Sequence, residues 1–231
     1  MDRKTLGRSV NLSVDLIPNG RPNRPGRFMR PTYVTIHNTS NAASGADASA
    51  HARFVTRTGF YVIEGKKHHV SWHYTVDDAR AIKHLPVNEV GFHAGRGNSR
   101  SIGIEICMHK GIDQDAANDR AARLVAALMH DLGIPVSNVV THENWTKKRC
   151  PTLLRGSFNS FVTKATAYRD AFVPSGTKDI ETPDALITAD EREAMRDFAD
   201  DVETMGGDLL KGDDPHPGIL KVDAADAQAG V

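Results

Sequence analysis

His142 and Cys150 stand eight residues apart, with Lys147, Lys148 and Arg149 between them and Pro151 beyond. An imidazole and a thiolate are both good ligands for zinc, and clustered cations favour the thiolate. The pair alone is a weak signal, because a histidine and a cysteine often fall this close by chance. His37 strengthens it. It closes the alternating run Tyr33-Val34-Thr35-Ile36-His37 and is followed by turn-prone Asn38, Thr39 and Ser40, and strand ends are where α/β folds present functional side chains. Three protein ligands with a fourth position open describe a catalytic zinc site rather than a closed structural one. Glu105 interrupts the isoleucine-rich run Ser101–Cys107. Such a carboxylate is either a general base whose pKa burial has raised or a carboxylate on a solvated sheet face.

These residues need a frame. Val34 and Ile36 share one face of their strand, with Thr35 and His37 on the other. Ile102, Ile104 and Ile106 likewise oppose Gly103, Glu105 and Cys107. Strands are also expected at His68–Val76, at Ala81–Val87 and at Val139–Thr141, which leads into His142. Helices are expected from an Asp47 cap through His51 and Val55, from Asp115 to Leu132 with Gly133 as stop, and from Ser157 to Phe172. The alternation predicts an α/β fold, a mixed central sheet flanked by helices. Residues 18–31 form a Pro/Gly/Arg-rich stretch that reads as extended or loop-like.

Charge divides the chain. Residues 1–173 carry 24 Lys and Arg against 14 Asp and Glu, whereas residues 174–231 carry 5 against 15. A basic body suits an anionic polymer, cell wall or nucleic acid, although no base-reading motif is present. The expected organisation is a basic N-terminal arm (1–30), a catalytic domain (31–173) and an acidic extension (174–231). In the extension, Thr188 and Glu191 form a capping box for a helix to Met205, Gly206-Gly207 ends it, and residues 211–231 are expected to be disordered. The extension is expected to dock on the basic body and modulate its affinity for the polymer. No apolar run reaches the roughly 20 residues of a membrane span. The N-terminus lacks the apolar core of a secretory signal, and two cysteines are too few for a disulfide framework.

Five segments in order carry a resemblance: Thr35-Ile36-His37-Asn38-Thr39-Ser40, Ser71-Trp72-His73-Tyr74, Gly91-Phe92-His93-Ala94-Gly95, Ser101 to Ile106, and Thr141-His142-Glu143-Asn144-Trp145 through Lys148-Arg149-Cys150-Pro151. Over residues 30–155 the chain resembles the zinc amidases of phage lysins, bacterial autolysins and peptidoglycan recognition proteins, the type 2 N-acetylmuramoyl-L-alanine amidases. The resemblance implies zinc on His37, His142 and Cys150, Glu105 as catalytic base and Lys148 as oxyanion stabiliser, with His93 lining the substrate groove. It further implies cleavage of the amide between N-acetylmuramic acid and L-alanine by a monomeric endolysin. That endolysin is made in the cytoplasm and reaches the wall through a membrane lesion, with no nucleic-acid partner and no membrane insertion. T7-type relatives place a tyrosine where Trp72 stands, so the base role falls to Glu105. Cytoplasmic recycling amidases use an aspartate where Cys150 stands, and non-catalytic recognition modules lose that cysteine. Asn38 and Thr39 are expected to contact the peptide stem, or merely to form a turn. Trp72 and Trp145 are expected to shape the groove by stacking on sugar faces, or simply to pack. Cys107 and His73 are expected in the core, and His51 on the surface or groove wall.

Overall fold

The computed structural model describes residues 8–172 and 186–204. The strands are β1 (Leu12–Val14), β2 (Tyr33–Asn38), β3 (Phe60–Ile63), β4 (Lys66–His69), β5 (Tyr74–Val76), β6 (Ala81–Lys83), β7 (Ser101–Ile106) and β8 (Val139–Thr141). The helices are α1 (Ala48–Arg53), α2 (Gln114–Leu132), α3 (Glu143–Thr146), α4 (Phe158–Asp170) and α5 (Ala189–Thr204). Six strands form one sheet in the order β1-β6-β5-β7-β2-β8, and β3 and β4 form a separate hairpin. Only β5 and β6 pair antiparallel; the other neighbours in the large sheet are parallel. The mixed α/β sheet expected from the alternation is therefore the observed one.

The isoleucine face does what its pattern demands. Val34, Ile36, Ile102, Ile104 and Ile106 are completely buried against Ala121, Leu124, Val125 and Leu128 of α2. Each such side chain contributes about 1.5–3 kcal/mol by leaving water. The alanines of α2 let the helix lie close to the strands. Asp113 caps its start by accepting from the Ala116 N–H at 3.0 Å, and Gly133 ends it in the left-handed region at φ 64°. Asp47 caps α1 through the Ala50 N–H, as its position suggested, but the helix passes into a π-helical turn at Phe54–Thr58.

The stretch His68–Val76 is not one strand. Residues 66–69 pair with Phe60–Ile63 in the hairpin, whereas Tyr74–Val76 enter the large sheet between β6 and β7. Ser71 and His73 bridge the gap by bonding backbone to backbone with Phe92 and Gly103. The hairpin turns on Glu64 and Gly65, at φ 49° and 75°. Both turn residues are left-handed, as the right-handed twist of the flanking strands requires.

Both flanking regions join the body. The Pro/Gly/Arg stretch is loop, but Leu12–Val14 just before it pairs with β6, and Val10, Ile17, Asn23 and Met29 are buried. Residues 8–30 are thus part of the packed body rather than a free arm. At the other end Leu186 and Ile187 are buried, and the capping box of α5 forms as its spacing suggests: Thr188 N–H donates to Glu191 at 2.7 Å and Glu191 N–H to Thr188 Oγ1 at 3.2 Å. Lys83 of β6 is buried, and its ammonium meets both Glu191 oxygens at 2.7 and 2.9 Å. Met205, Gly206-Gly207 and residues 211–231 lie outside the described residues.

Candidate metal centre

His37 and Glu105 face each other directly across the parallel β2–β7 pair. Strand alternation sends both to the side of the sheet away from α2. His142 follows β8, which pairs with β2, and its N–H bonds the Ile36 carbonyl at 3.3 Å. The short helix α3 then ends at Lys147 in a left-handed conformation, φ 63°. The chain reverses there, so that Cys150 returns beneath α3 with its carbonyl accepting from Glu143 N–H at 3.1 Å. His37, His142 and Cys150 each offer one ligand atom, all within 4.8 Å of one another.

The spacing suits one small cation. The Nδ1 atoms of His37 and His142 are 3.1 Å apart, and Cys150 Sγ lies 3.9 Å from His37 Nδ1. Tetrahedral zinc with ordinary bond lengths sets two nitrogens about 3.3 Å apart and a nitrogen and sulfur about 3.6 Å apart. The hydrogen-bond network fixes which nitrogen of His37 is available. His93 Nε2 lies 3.1 Å from the Ser101 carbonyl and so carries a proton; His93 Nδ1 therefore accepts, from His37 Nε2 at 3.1 Å. That leaves the His37 Nδ1 lone pair aimed at the trio. Orientation of a ligand histidine by its second nitrogen is the usual support of a metal site.

Burial keeps these rings neutral, as ligation requires. It pushes His37 well below its ordinary value, with help from His142, His93 and Lys148. It takes His142 down to about 3 and His93 to about 4. The neighbouring cations were expected to favour the Cys150 thiolate; instead burial, with Glu105 next, pushes the thiol up to about 12, and Lys148 offsets only part of that. Burial likewise raises the Glu105 carboxyl to about 8 against the pull of Lys148. Glu105 Oε1 lies 3.8 Å from His37 Nδ1, and Oε2 is buried without a hydrogen-bond partner. Glu105 is therefore not on a solvated sheet face. Lys148 is exposed at the rim.

A profile of the N-acetylmuramoyl-L-alanine amidase family matches residues 27–153. The chain belongs to the N-acetylmuramoyl-L-alanine amidase family. Among curated members it is similar to the amidases CwlH and XlyA of Bacillus subtilis (strain 168), at 43% identity over 158 residues and 45% over 156. Each match covers 66% of this chain but only 60% of CwlH and 50% of XlyA, so the chain spans about half to three-fifths of those relatives. Among solved structures, the catalytic domain of XlyA is similar at 44% identity and a TM-score of 0.62, covering 68% of this chain and 99% of that one. The PlyG catalytic domain is similar at 29% identity and a TM-score of 0.59, covering 72% and 99%.

Within this member of the family the remaining residues singled out from the sequence are placed as follows. His93 is buried behind His37, with both ring nitrogens engaged by protein partners. Trp72 is buried in a separate cluster with Ile17, Val55 and Leu85 and donates its indole N–H to Thr75, the packing alternative of the two the sequence offered. Asn38 is buried; its amide donates to the Ile106 carbonyl and accepts from Leu153 N–H, tying the Cys150 loop to β2. Trp145 is half-buried, with its indole N–H on Thr35 at 2.8 Å and its ring edge-on to Tyr33. Thr39 stands at the end of β2, its hydroxyl buried and unpartnered. Cys107 and His73 are core residues as expected; His51 is buried too, its Nδ1 on the Asp47 carbonyl at 2.8 Å. Sequence reading missed what Gly103 does: a Cβ there would lie 2.7 Å from the His93 ring, so only glycine lets His93 sit under His37.

Proposed function

We propose that this protein is a zinc-dependent hydrolase of bacterial peptidoglycan that cleaves the amide between the lactyl group of N-acetylmuramic acid and L-alanine, as a phage or prophage endolysin. The observation that carries the reading is the His37–His142–Cys150 trio with Glu105 in register opposite His37. A zinc ion held there would polarise the scissile carbonyl and make a water acidic enough to attack at neutral pH. Glu105 accepts a proton from the attacking water and returns it to the departing alanine nitrogen. Burial raises this carboxyl to about 8, which lets it hold the proton between the two transfers, and a cation on the neighbouring trio would draw it back towards the ionised form that accepts the proton. Lys148, at the rim, places its ammonium where negative charge develops on the carbonyl oxygen. His93 and the Ser101 carbonyl hold His37 in the tautomer that leaves Nδ1 free. The basic surface of residues 8–172 draws the enzyme to an anionic wall.

The test is digestion of purified peptidoglycan by the full chain, zinc-loaded and chelator-treated. New L-alanine amino termini, without new reducing ends, are expected only from the zinc-loaded protein. Absence of those termini under zinc-replete conditions would overturn the reading.

A further inference from the structure

The β3–β4 hairpin carries Phe60, Tyr61, Val62 and Ile63. Phe60, Tyr61 and Ile63 pack against none of the core clusters among the described residues, and Val62 is 57% exposed. An isolated two-stranded hairpin is marginal in water and normally needs a third strand or a packed face. Among the described residues no third strand joins this one. Its order comes from its own cross-strand pairs and from its base. Tyr61 and His68 stack on one face with ring centroids 5.4 Å apart. Phe60 and His69 meet edge-on at 5.9 Å on the other, and the Lys67 ammonium lies 4.4 Å over the Phe60 ring. At the base, Val70 N–H bonds the Gly59 carbonyl at 2.9 Å, and the buried Asn23 amide donates to the Val55 and Val70 carbonyls at 2.8 and 3.1 Å. Gly59 is left-handed at φ 64°, and a Cβ there would collide with that amide. The hairpin is thus fixed at its root and ordered along its length, while Val62 stays uncovered.

Its charge is one-sided. Arg53 and Arg57 ahead of the hairpin and Lys66 and Lys67 in β4 are all exposed, and Glu64 is the single acid between Arg53 and His69. None of these four cations is in an ion pair among the described residues. The register sets a lysine beside an apolar side chain on each face, Lys67 opposite Val62 and Lys66 opposite Ile63. Uncompensated cations beside apolar and aromatic side chains suit a polymer that carries both carboxylates and apolar ring faces. Peptidoglycan has both, in its stem peptides and its sugars. A bilayer is a poorer match. Val62 and Ile63 point to opposite faces with an ammonium beside each, so neither face offers the broad apolar surface that interfacial insertion needs.

We infer that the β3–β4 hairpin is a second peptidoglycan-docking surface, separate from the metal centre, in which Lys66 and Lys67 meet stem carboxylates and Val62 lies against the glycan. This rests on peptidoglycan being the substrate, as proposed above, and adds a hold on the polymer that the metal trio does not supply.

The test is co-sedimentation of the zinc-loaded full chain with purified peptidoglycan sacculi, in a Glu105→Gln background so that the polymer is not cut during the measurement. Three variants are compared with their parent: Lys66→Glu with Lys67→Glu, Lys66→Arg with Lys67→Arg, and Val62→Ser. The thermal midpoint of each is measured beside it. Charge reversal is expected to raise the Kd for sacculi about tenfold at low salt, the worth of two exposed ion pairs. That difference should shrink as salt is added. The arginine pair should bind like the parent, and Val62→Ser should raise Kd about threefold at any salt. With Glu105 restored, turnover of a short soluble N-acetylmuramoyl-peptide should be the same in all forms, whereas hydrolysis of sacculi by the charge-reversed form should show a higher KM at unchanged kcat. Unchanged sacculus binding in both the charge-reversed and the Val62→Ser forms would overturn the inference, as would losses that follow the midpoint. Lost binding to vesicles of phosphatidylglycerol and phosphatidylethanolamine, with binding to sacculi retained, would overturn it in favour of a membrane partner. Zinc-loaded wild type that holds sacculi through Lys66 and Lys67 yet releases no L-alanine amino termini would overturn the hydrolase reading and leave this inference standing.

Discussion

Glu105 and His93 occupy opposite sides of His37, and their loss should be felt differently. Glu105 touches the site through Oε1 and carries an unpartnered Oε2. Glu105→Gln keeps its size and one acceptor but cannot take a proton. We expect a fall in kcat of about 10²–10⁴-fold with zinc still bound, measured by turnover beside metal analysis. His93 is hidden behind His37 and reaches the metal only through it. His93→Phe should weaken zinc binding by about 10–100-fold, read by competition with a chromogenic chelator. Loss of turnover at full zinc occupancy would instead place His93 in the groove. The meeting of His37, His142 and Cys150 was legible because histidine and cysteine at strand ends and beside reversals are chemically conspicuous. His93 was visible as a residue but not as a support, since which side of a histidine faces a metal depends on partners 56 residues and 8 residues away. Asn38 and Trp72 stayed undecided in the sequence for a related reason: side chains that suit polar or sugar contacts serve equally well to fasten a loop or fill a core.

At the scale of elements, the β2–β7 pair is the framework of the site, and its register is what sets His37 opposite Glu105. One glycine in that pair has a measurable role. Gly103→Ala puts a methyl carbon 2.7 Å from the His93 ring, closer than packed atoms tolerate, and the ring must shift. We expect a loss of about 1–3 kcal/mol in urea unfolding together with weaker zinc binding; a change in stability alone would mean that His93 moves without disturbing His37. The isoleucine strand and α2 could be read from sequence because period two and the i, i+4 stripe are carried by large apolar side chains on one face. The β3–β4 hairpin could not. Its turn is Glu64-Gly65 rather than the Asn-Gly or Asp-Gly that announces such turns, and the β-branched and aromatic residues from Val70 to Val76 continue the strand-like pattern across the point where the chain leaves one sheet for the other.

For the molecule as a whole, two buried groups away from the metal set its tolerance of acid and of truncation. His73 is held down to about 3 and His84 to about 4, both chiefly by burial. His73 accepts from Gly103 N–H and donates to the Glu89 carbonyl, so its ring has no place for a second proton. Their folded values lie below the unfolded value of about 6.5, so the unfolded chain binds more protons as the pH falls. Their contribution is complete above about pH 6.5 and is lost progressively towards pH 3–4. Together they should lower unfolding free energy by about 3–4 kcal/mol between pH 7 and pH 5, measured by denaturant titration at each pH; a flat profile would mean that the rings are protonated in the folded state. The second group is Lys83. Glu191→Leu strands its buried ammonium and should cost about 3–5 kcal/mol, whereas Lys83→Met combined with Glu191→Leu should recover most of it. If the single variant is as stable as wild type, the contact contributes nothing. The charge division near residue 174 was legible as composition, but not that residues beyond it lend the body a buried counter-ion, because a capping glutamate reads the same whether it faces water or a lysine.

Strand β6 is gripped from both ends of the described chain: β1 pairs along it, and Glu191 at the start of α5 holds Lys83, its last residue. A pull applied between the two ends therefore loads this short strand, second from the sheet edge, first, like a buckle, and passes by β2, β7 and β8, where the metal trio sits. If the proposed action on a wall polymer holds, a chain tethered at either end would strain at the buckle while His37, His142 and Cys150 stay in register.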